Sequence, residues 1–294
     1  MRKRISFDTS AINALAEDDG LLAAIKSGFF TRLTFPSVEE PLATSNETKR
    51  NRLFDILNAL RINGECLQAH NTIATQLIQN YEQHRSSQWA SQDIRFVECE
   101  TAIARRDFSN IESDEQRTFA QEAKAQFAKV FADTRPEFEE LFAAGTDRPA
   151  TADQLLAHLN GTDGAFWNIA AGLYERASGH RPTEEQIRAF TADCQPFFAL
   201  MLGLVHAQFE WGIRETQVNE NKRVNRVDLF SAIYLPYCDI YITNDLEQKR
   251  CVAEITSTAN LPVEVFSLRE FGDRMTVSVG KNRSANPPSR LRRS

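Results

Sequence analysis

Two hydrophobic spacings alternate along this chain. Short apolar runs of strand length occur at Ile5–Phe7, at Leu33–Phe35, in DIYIT (239–243) and in VEVFSL (263–268). Each run is followed by polar residues and then by a helical pattern, so the two chain ends predict strands alternating with helices. That alternation favours a parallel sheet joined by right-handed crossovers. The middle, from about residue 66 to 220, predicts helices almost throughout. Ile73, Leu77, Ile78 and Tyr81 fall on one helical face, as do Phe119, Phe127, Val130 and Phe131. Ser113 with Gln116, Thr151 with Gln154, and Thr183 with Gln186 have the spacing of capping boxes. Residues 1–65 and 220–272 are therefore expected to form one α/β domain interrupted by an all-helical insertion at 66–219. Residues 273–294 hold six basic residues from Arg274 onward, with Pro287-Pro288 and scattered Ser. They read as a mobile basic tail.

Composition narrows the class. The chain has 294 residues, 42% hydrophobic and 25% charged, with a formal net charge of -6. That balance fits a globular protein and argues against wholesale coating of nucleic acid, while leaving room for a local basic groove. The five cysteines are widely spaced, with no C-x-x-C and no zinc-like His/Cys grouping. Reduced thiols in a cytoplasmic protein are expected. The apolar run in MRKRISFD is too short for a signal peptide. Phe197–Val205 is the most apolar stretch, but a membrane span needs about 20 such residues, so it predicts a buried helix.

In an open parallel sheet, ligands bind beyond the carboxyl ends of the strands. Acids stand one step past each predicted strand. Asp8 follows RISF, Glu39 and Glu40 follow RLTFPS, and Asp245 follows YITN. Asp228 opens the predicted helix VDLFSAIYL, which leads into the strand ending at Thr243. Each acid alone is explained by helix capping or by the helix dipole. Together on one sheet edge they would repel one another unless a cation neutralised them. Hard oxygen donors select Mg²⁺ or Mn²⁺, the requirement of a metal-assisted phosphodiester-cleaving centre.

The segments ISFDTSAINAL, PSVEEPLATSNETKRNRL and VDLFSAIYLPYCDIYITND resemble the signature segments of the PIN-like nuclease family, over about residues 1–65 and 220–270. The resemblance implies a Rossmann-like three-layer fold and Mg²⁺- or Mn²⁺-dependent cleavage of single-stranded RNA. It assigns Asp8, Glu40, Asp228 and Asp245 as metal-binding and catalytic acids, with Thr243 as the hydroxyl residue supporting them. Glu39 and Glu40 compete for one role, and EPLAT fits Glu40 better, although Pro41 is unusual in that pattern. Asp239 is expected at the start of its strand, away from the site. The long helical middle departs from compact family members.

Two basic runs flank the acids, KRNRL (49–53) and NKRVNR (221–226). Lys222, Arg223 and Arg226 are the candidate RNA-phosphate contacts, against the plain alternative of a solvated helix face. Trp89, Trp167, Trp211 and His206 sit in helical, aromatic-rich surroundings that favour core packing. No G-x-S-x-G, Walker A or G-x-G-x-x-G occurs, which argues against an esterase, a P-loop NTPase and a dinucleotide enzyme. A haloacid-dehalogenase-type phosphatase also places an Asp after its first strand, but D-T-S stands here where D-x-D is expected. Two readings stay open. One is a metal-dependent endoribonuclease, either a toxin-like enzyme controlled by an antitoxin or an RNA-processing one, with an oligomer left open. The other is a non-catalytic scaffold on the same fold that binds a protein or RNA partner through its helices.

Overall fold

The structure is a computed structural model, and it describes residues 2–43, 46–86, 88–107, 149–161, 164–213 and 229–284. Five strands form one all-parallel sheet: β1 (Arg4–Phe7), β2 (Phe30–Leu33), β3 (Gly64–Cys66), β4 (Ile240–Ile242) and β5 (Glu264–Phe266). Their order is β3-β2-β1-β4-β5. Residues at the two chain ends therefore share one sheet, with Ile5 opposite Ile240 and Phe7 opposite Ile242. From β1 the chain builds outward to β2 and β3, then returns across β1 to add β4 and β5. The direction of winding reverses between β1 and β4, which is where open α/β sheets form their ligand crevice.

The first half supplies helices α1 (Thr9–Leu15), α2 (Asp19–Gly28), α3 (Phe35–Ala43), α4 (Glu47–Arg61), α5 (His70–His84) and α6 (Val97–Arg105). The middle adds α7 (Ala152–Gly161), α8 (Ala165–Ser178), α9 (Glu184–Asp193) and α10 (Gln195–Gln208). Helices α11 (Leu246–Thr258) and α12 (Leu268–Ser284) follow β4 and β5. Period-2 strand geometry sends Ile5, Phe7, Leu33, Ile240 and Ile242 to one face. There they form a single core with Ile12 of α1, Leu57 of α4, Cys99 and Ile103 of α6 and Phe271 of α12. Cys66 and α6 thus belong to the sheet's core, although both lie within the segment read as an insertion.

The opposite face is divided. Tyr241 packs with Ala199 and Leu202 of α10 and with Val252 and Ile255 of α11. Beside it, under β1–β3, the layer is polar. Ser6 Oγ donates to the Arg32 carbonyl at 2.8 Å, Arg32 pairs with Glu65 at 2.7 Å, and Arg32 Nη1 donates to the Tyr237 carbonyl at 2.6 Å.

Helix α10 is the hub of the helical part. Phe197, Leu200, Met201 and Val205 face a core shared with α5, α7, α8 and α9, while Ala199 and Leu202 face the sheet. A helix apolar on all sides has to be buried. No helix among the described residues is long and apolar enough to cross a membrane.

Local signals explain most boundaries. Thr183 and Gln186 form the expected capping box of α9, and Pro196 occupies the first turn of α10. The second strand lies upstream of the expected Leu33–Phe35, since Phe35 and Pro36 open α3 and only Leu33 belongs to β2. Proline fits a first helical turn because its missing N–H would have no partner there. Strand β3 carried no strand pattern. Residues Ser231–Tyr237, where VDLFSAIYL predicted one helix, form a buried 3₁₀ helix containing Pro236. Helix α12 continues through Ser284, into the segment expected to be a tail. All five cysteines are free and buried.

Candidate active site at the switch point

Asp8 and Asp245 meet where the winding reverses. Asp8 directly follows β1, and its N–H donates to the Ile242 carbonyl at 3.0 Å, continuing the β1–β4 ladder. Its side chain caps α1, with Oδ1 accepting from Ala11 N at 2.8 Å and from Ser10 Oγ at 2.9 Å. Oδ2 accepts from Ser10 Oγ at 2.8 Å and from Thr243 Oγ1 at 2.8 Å. Asp245 caps α11 through Oδ1, which accepts from Glu247 N at 2.8 Å and Gln248 N at 3.0 Å. Among the described residues, Asp245 Oδ2 accepts no hydrogen bond.

The electrostatics of the pair are unfavourable to two bare charges. Burial pushes the Asp8 carboxyl above its ordinary range, and the neighbouring Asp245 charge pushes the same way. The donors from Ala11, Ser10 and Thr243 oppose this shift without cancelling it. A cation between the two carboxylates would relieve both causes at once.

Thr243 is the keystone of the loop and is fully buried. Its Oγ1 accepts from Asp245 N at 3.1 Å, so one hydroxyl touches both acidic residues. It lies 2.8 Å from Asp8 Oδ2 and 2.8 Å from the Gln248 side-chain amide. A threonine has one proton and two lone pairs, and the charged oxygen is the stronger acceptor. With its amide nitrogen toward Thr243, Gln248 would donate to Oγ1 and accept from the Tyr241 hydroxyl, 3.2 Å away. Every group in the chain Tyr241–Gln248–Thr243–Asp8 is then satisfied. Ser10 closes the other side by accepting from Asn244 N at 2.8 Å.

Thr243→Val should cost about 1–3 kcal/mol, because it orphans the Asp245 amide and the Gln248 side chain and strips Asp8 of a donor. Thr243→Ser should recover most of that loss. Urea unfolding of the two variants measures it, and a Val variant as stable as wild type would show that the network carries no weight.

The other expected acids stand differently. Glu39, half-buried on α3, lies near enough to Tyr234 for its charge to add to burial in raising that phenol's pKa. The Tyr234 hydroxyl donates to the Gln68 carbonyl, just beyond β3, at 2.8 Å. Glu40 is on the same helix, and its side chain lies outside the described set. Asp228, Lys222, Arg223 and Arg226 lie outside the described residues altogether. Asp239 is at the opposite end of β4, as expected, where Arg4 Nη2 binds it at 2.8 Å and holds its carboxyl below the usual range.

Gln248, Ser10 and Asn244 are the site residues that the sequence reading did not assign. Asp245 and Gln248 have capping-box spacing, but the glutamine side chain is not spent on the cap. Instead it reaches sideways to Thr243. A second charged cluster lies along α11. There Arg250 pairs with fully buried Glu210, with Glu254 at 3.0 Å and with Glu247 at 3.2 Å. His206 packs beside it in the core, its pKa lowered by burial.

Among the described residues, no three His, Cys, Asp or Glu side chains gather closely enough to hold a metal ion alone. Two carboxylates can nevertheless suffice for one kind of ion. Mg²⁺ is commonly held by one or two carboxylates, with waters and substrate phosphate oxygens completing its shell. Comparison with family models, with curated proteins and with solved structures finds no match for this chain.

Proposed function

We propose that the chain is a metal-dependent nuclease of the PIN-like type, hydrolysing phosphodiester bonds in single-stranded RNA. One observation carries the reading. Thr243 and Asp8 are 235 residues apart in sequence, yet they are hydrogen-bonded at the switch point with Asp245 alongside. Asp8 and Asp245 would hold Mg²⁺ or Mn²⁺ by hard carboxylate oxygens. The bound ion would supply charge neutralisation for a phosphate and a more acidic water. Thr243 and Ser10 fix the Asp8 carboxylate, and the α11 cap leaves Asp245 Oδ2 for coordination. A third acid would come from the Glu39–Glu40 step of α3, with Asp228 as the fourth by resemblance.

A non-catalytic scaffold is the second reading, and the caps favour it. Both aspartates already perform a structural task at a helix N-terminus. Single-turnover assays on 5′-labelled single-stranded RNA and DNA, with millimolar Mn²⁺ or EDTA, separate the two. The nuclease reading expects Mn²⁺-dependent shortening of the RNA. Intact RNA under all conditions supports the scaffold.

A further inference from the structure

Helices α5, α8 and α10 leave a cleft of about 330 Å³ between them. Its walls are mostly apolar, built by Ile78 of α5, Leu173 and Ala177 of α8, and Leu200 and Leu204 of α10, with Asn71 and Thr75 of α5 also lining it. Phe230 lines it too, with its ring 5.6 Å from that of His70. None of these residues belongs to the acid pair or its hydrogen-bond network.

Two polar side chains in the cleft make no side-chain ion pair or hydrogen bond among the described residues. Arg176, in the last turn of α8, is exposed and pairs with no carboxylate among the described residues. His70 lines the same space, and its ring makes no hydrogen bond among those residues. Helix α5 begins there, behind Ala69, which offers its first turn no side-chain cap. An inorganic anion would use the guanidinium and waste the walls. A hydrocarbon would use the walls and leave the guanidinium idle.

We infer that this cleft binds a small amphipathic carboxylate, its apolar body between α5, α8 and α10 and its carboxylate on Arg176. The planar guanidinium fork matches a carboxylate in two parallel hydrogen bonds. Burial keeps His70 neutral near pH 7, so its ring can donate one hydrogen bond to the ligand without adding charge. At interior packing density of about 0.74, the space takes roughly a dozen heavy atoms. Pockets of this size with mostly apolar walls and a few convergent polar groups are the usual form of small-molecule sites.

Isothermal titration with octanoate, 1-octanol and acetate tests the assignment. Octanoate should bind one to one with a Kd on the order of 10–100 μM. Acetate should give no heat, and 1-octanol should bind about tenfold more weakly than octanoate. Arg176→Gln, an exposed change that leaves the core intact, should lower octanoate to the level of 1-octanol and leave 1-octanol unchanged. Ala177→Leu should fill the space and weaken both, with its thermal unfolding checked against wild type. The inference is overturned if octanoate is silent at 5 mM or if Arg176→Gln binds it as wild type does. It is equally overturned if 1-octanol matches octanoate in the wild type.

Discussion

Gly203→Ala is expected to destabilise the protein by up to about 2 kcal/mol, although alanine is the better helix former. Gly203 lies within α10, the helix shared by the helical core and the sheet-facing core. A Cβ at this position would stand 2.2 Å from the Leu229 carbonyl oxygen and 3.2 Å from Ala232 Cβ. The obstacle is backbone, so no rotamer change relieves it, and α10 has to move away from the 3₁₀ segment Ser231–Tyr237. Overpacking of this kind costs about 1–3 kcal/mol and sometimes more, while the gain in helix propensity returns only about 1. Gly172→Ala is the matched control, because a Cβ there meets nothing within 4 Å and Gly172 also lies inside a helix. It should stabilise by about 0.5–1 kcal/mol. Urea unfolding midpoints should therefore move in opposite directions. If both variants gain stability, α10 does not pack against the 3₁₀ segment as described.

The contrast between those glycines also shows what can be read from a sequence. Asp8 and Asp245 were legible because each stands just past a short apolar strand, and the sheet edge follows from that position, whereas Thr243 came only from the family resemblance. The helical periodicity of α5 and the Thr183–Gln186 cap were legible for the same reason, since both are local. Strand β3 was not. Gly64–Cys66 has three residues, one of them glycine and one charged, and it is a strand because Thr31, Arg32 and Leu33 pair with it. Its glycine has a tertiary cause, since a Cβ would fall 2.2 Å from the Thr31 carbonyl oxygen. The role of Gln248 was not legible for a related reason. Its spacing from Asp245 satisfies a local motif, but a buried hydroxyl from the preceding loop competes for its amide and wins. Local rules describe what a side chain can do near its own backbone, and the sheet edge brings partners they cannot foresee.

Asp8→Asn and Asp245→Asn should each lower RNA cleavage by at least about 100-fold while keeping the fold. Asparagine caps a helix about as well as aspartate. The amides of Ala11, Glu247 and Gln248 therefore keep an acceptor, and the metal-free Asp245→Asn protein should change little in stability. Asp8→Asn also puts an NH2 where Oδ2 accepts from Thr243 Oγ1, a loss that removal of a buried charge offsets in part. What disappears is one negative charge from a pair in which burial and the neighbouring Asp245 charge already disfavour the Asp8 carboxylate. A neutral amide oxygen should not compensate for that charge, because Mg²⁺ is commonly held through one or two carboxylates. The wild type should gain about 2.7 kcal/mol at Mn²⁺ concentrations of 100 times Kd, by linkage to the folded state. At about 2–4 °C per kcal/mol, that raises Tm by roughly 5–10 °C. Both variants should lose most of that gain. Asp239→Asn removes the same charge from the other end of β4, where Arg4 neutralises it, and its Mn²⁺ response should match wild type. An equal loss in Asp239→Asn would mean that Mn²⁺ senses net charge rather than the switch-point pair. A wild type that gains nothing from Mn²⁺ and leaves RNA intact would reduce Asp8 and Asp245 to the two helix caps they already are, on a scaffold that binds and does not cut.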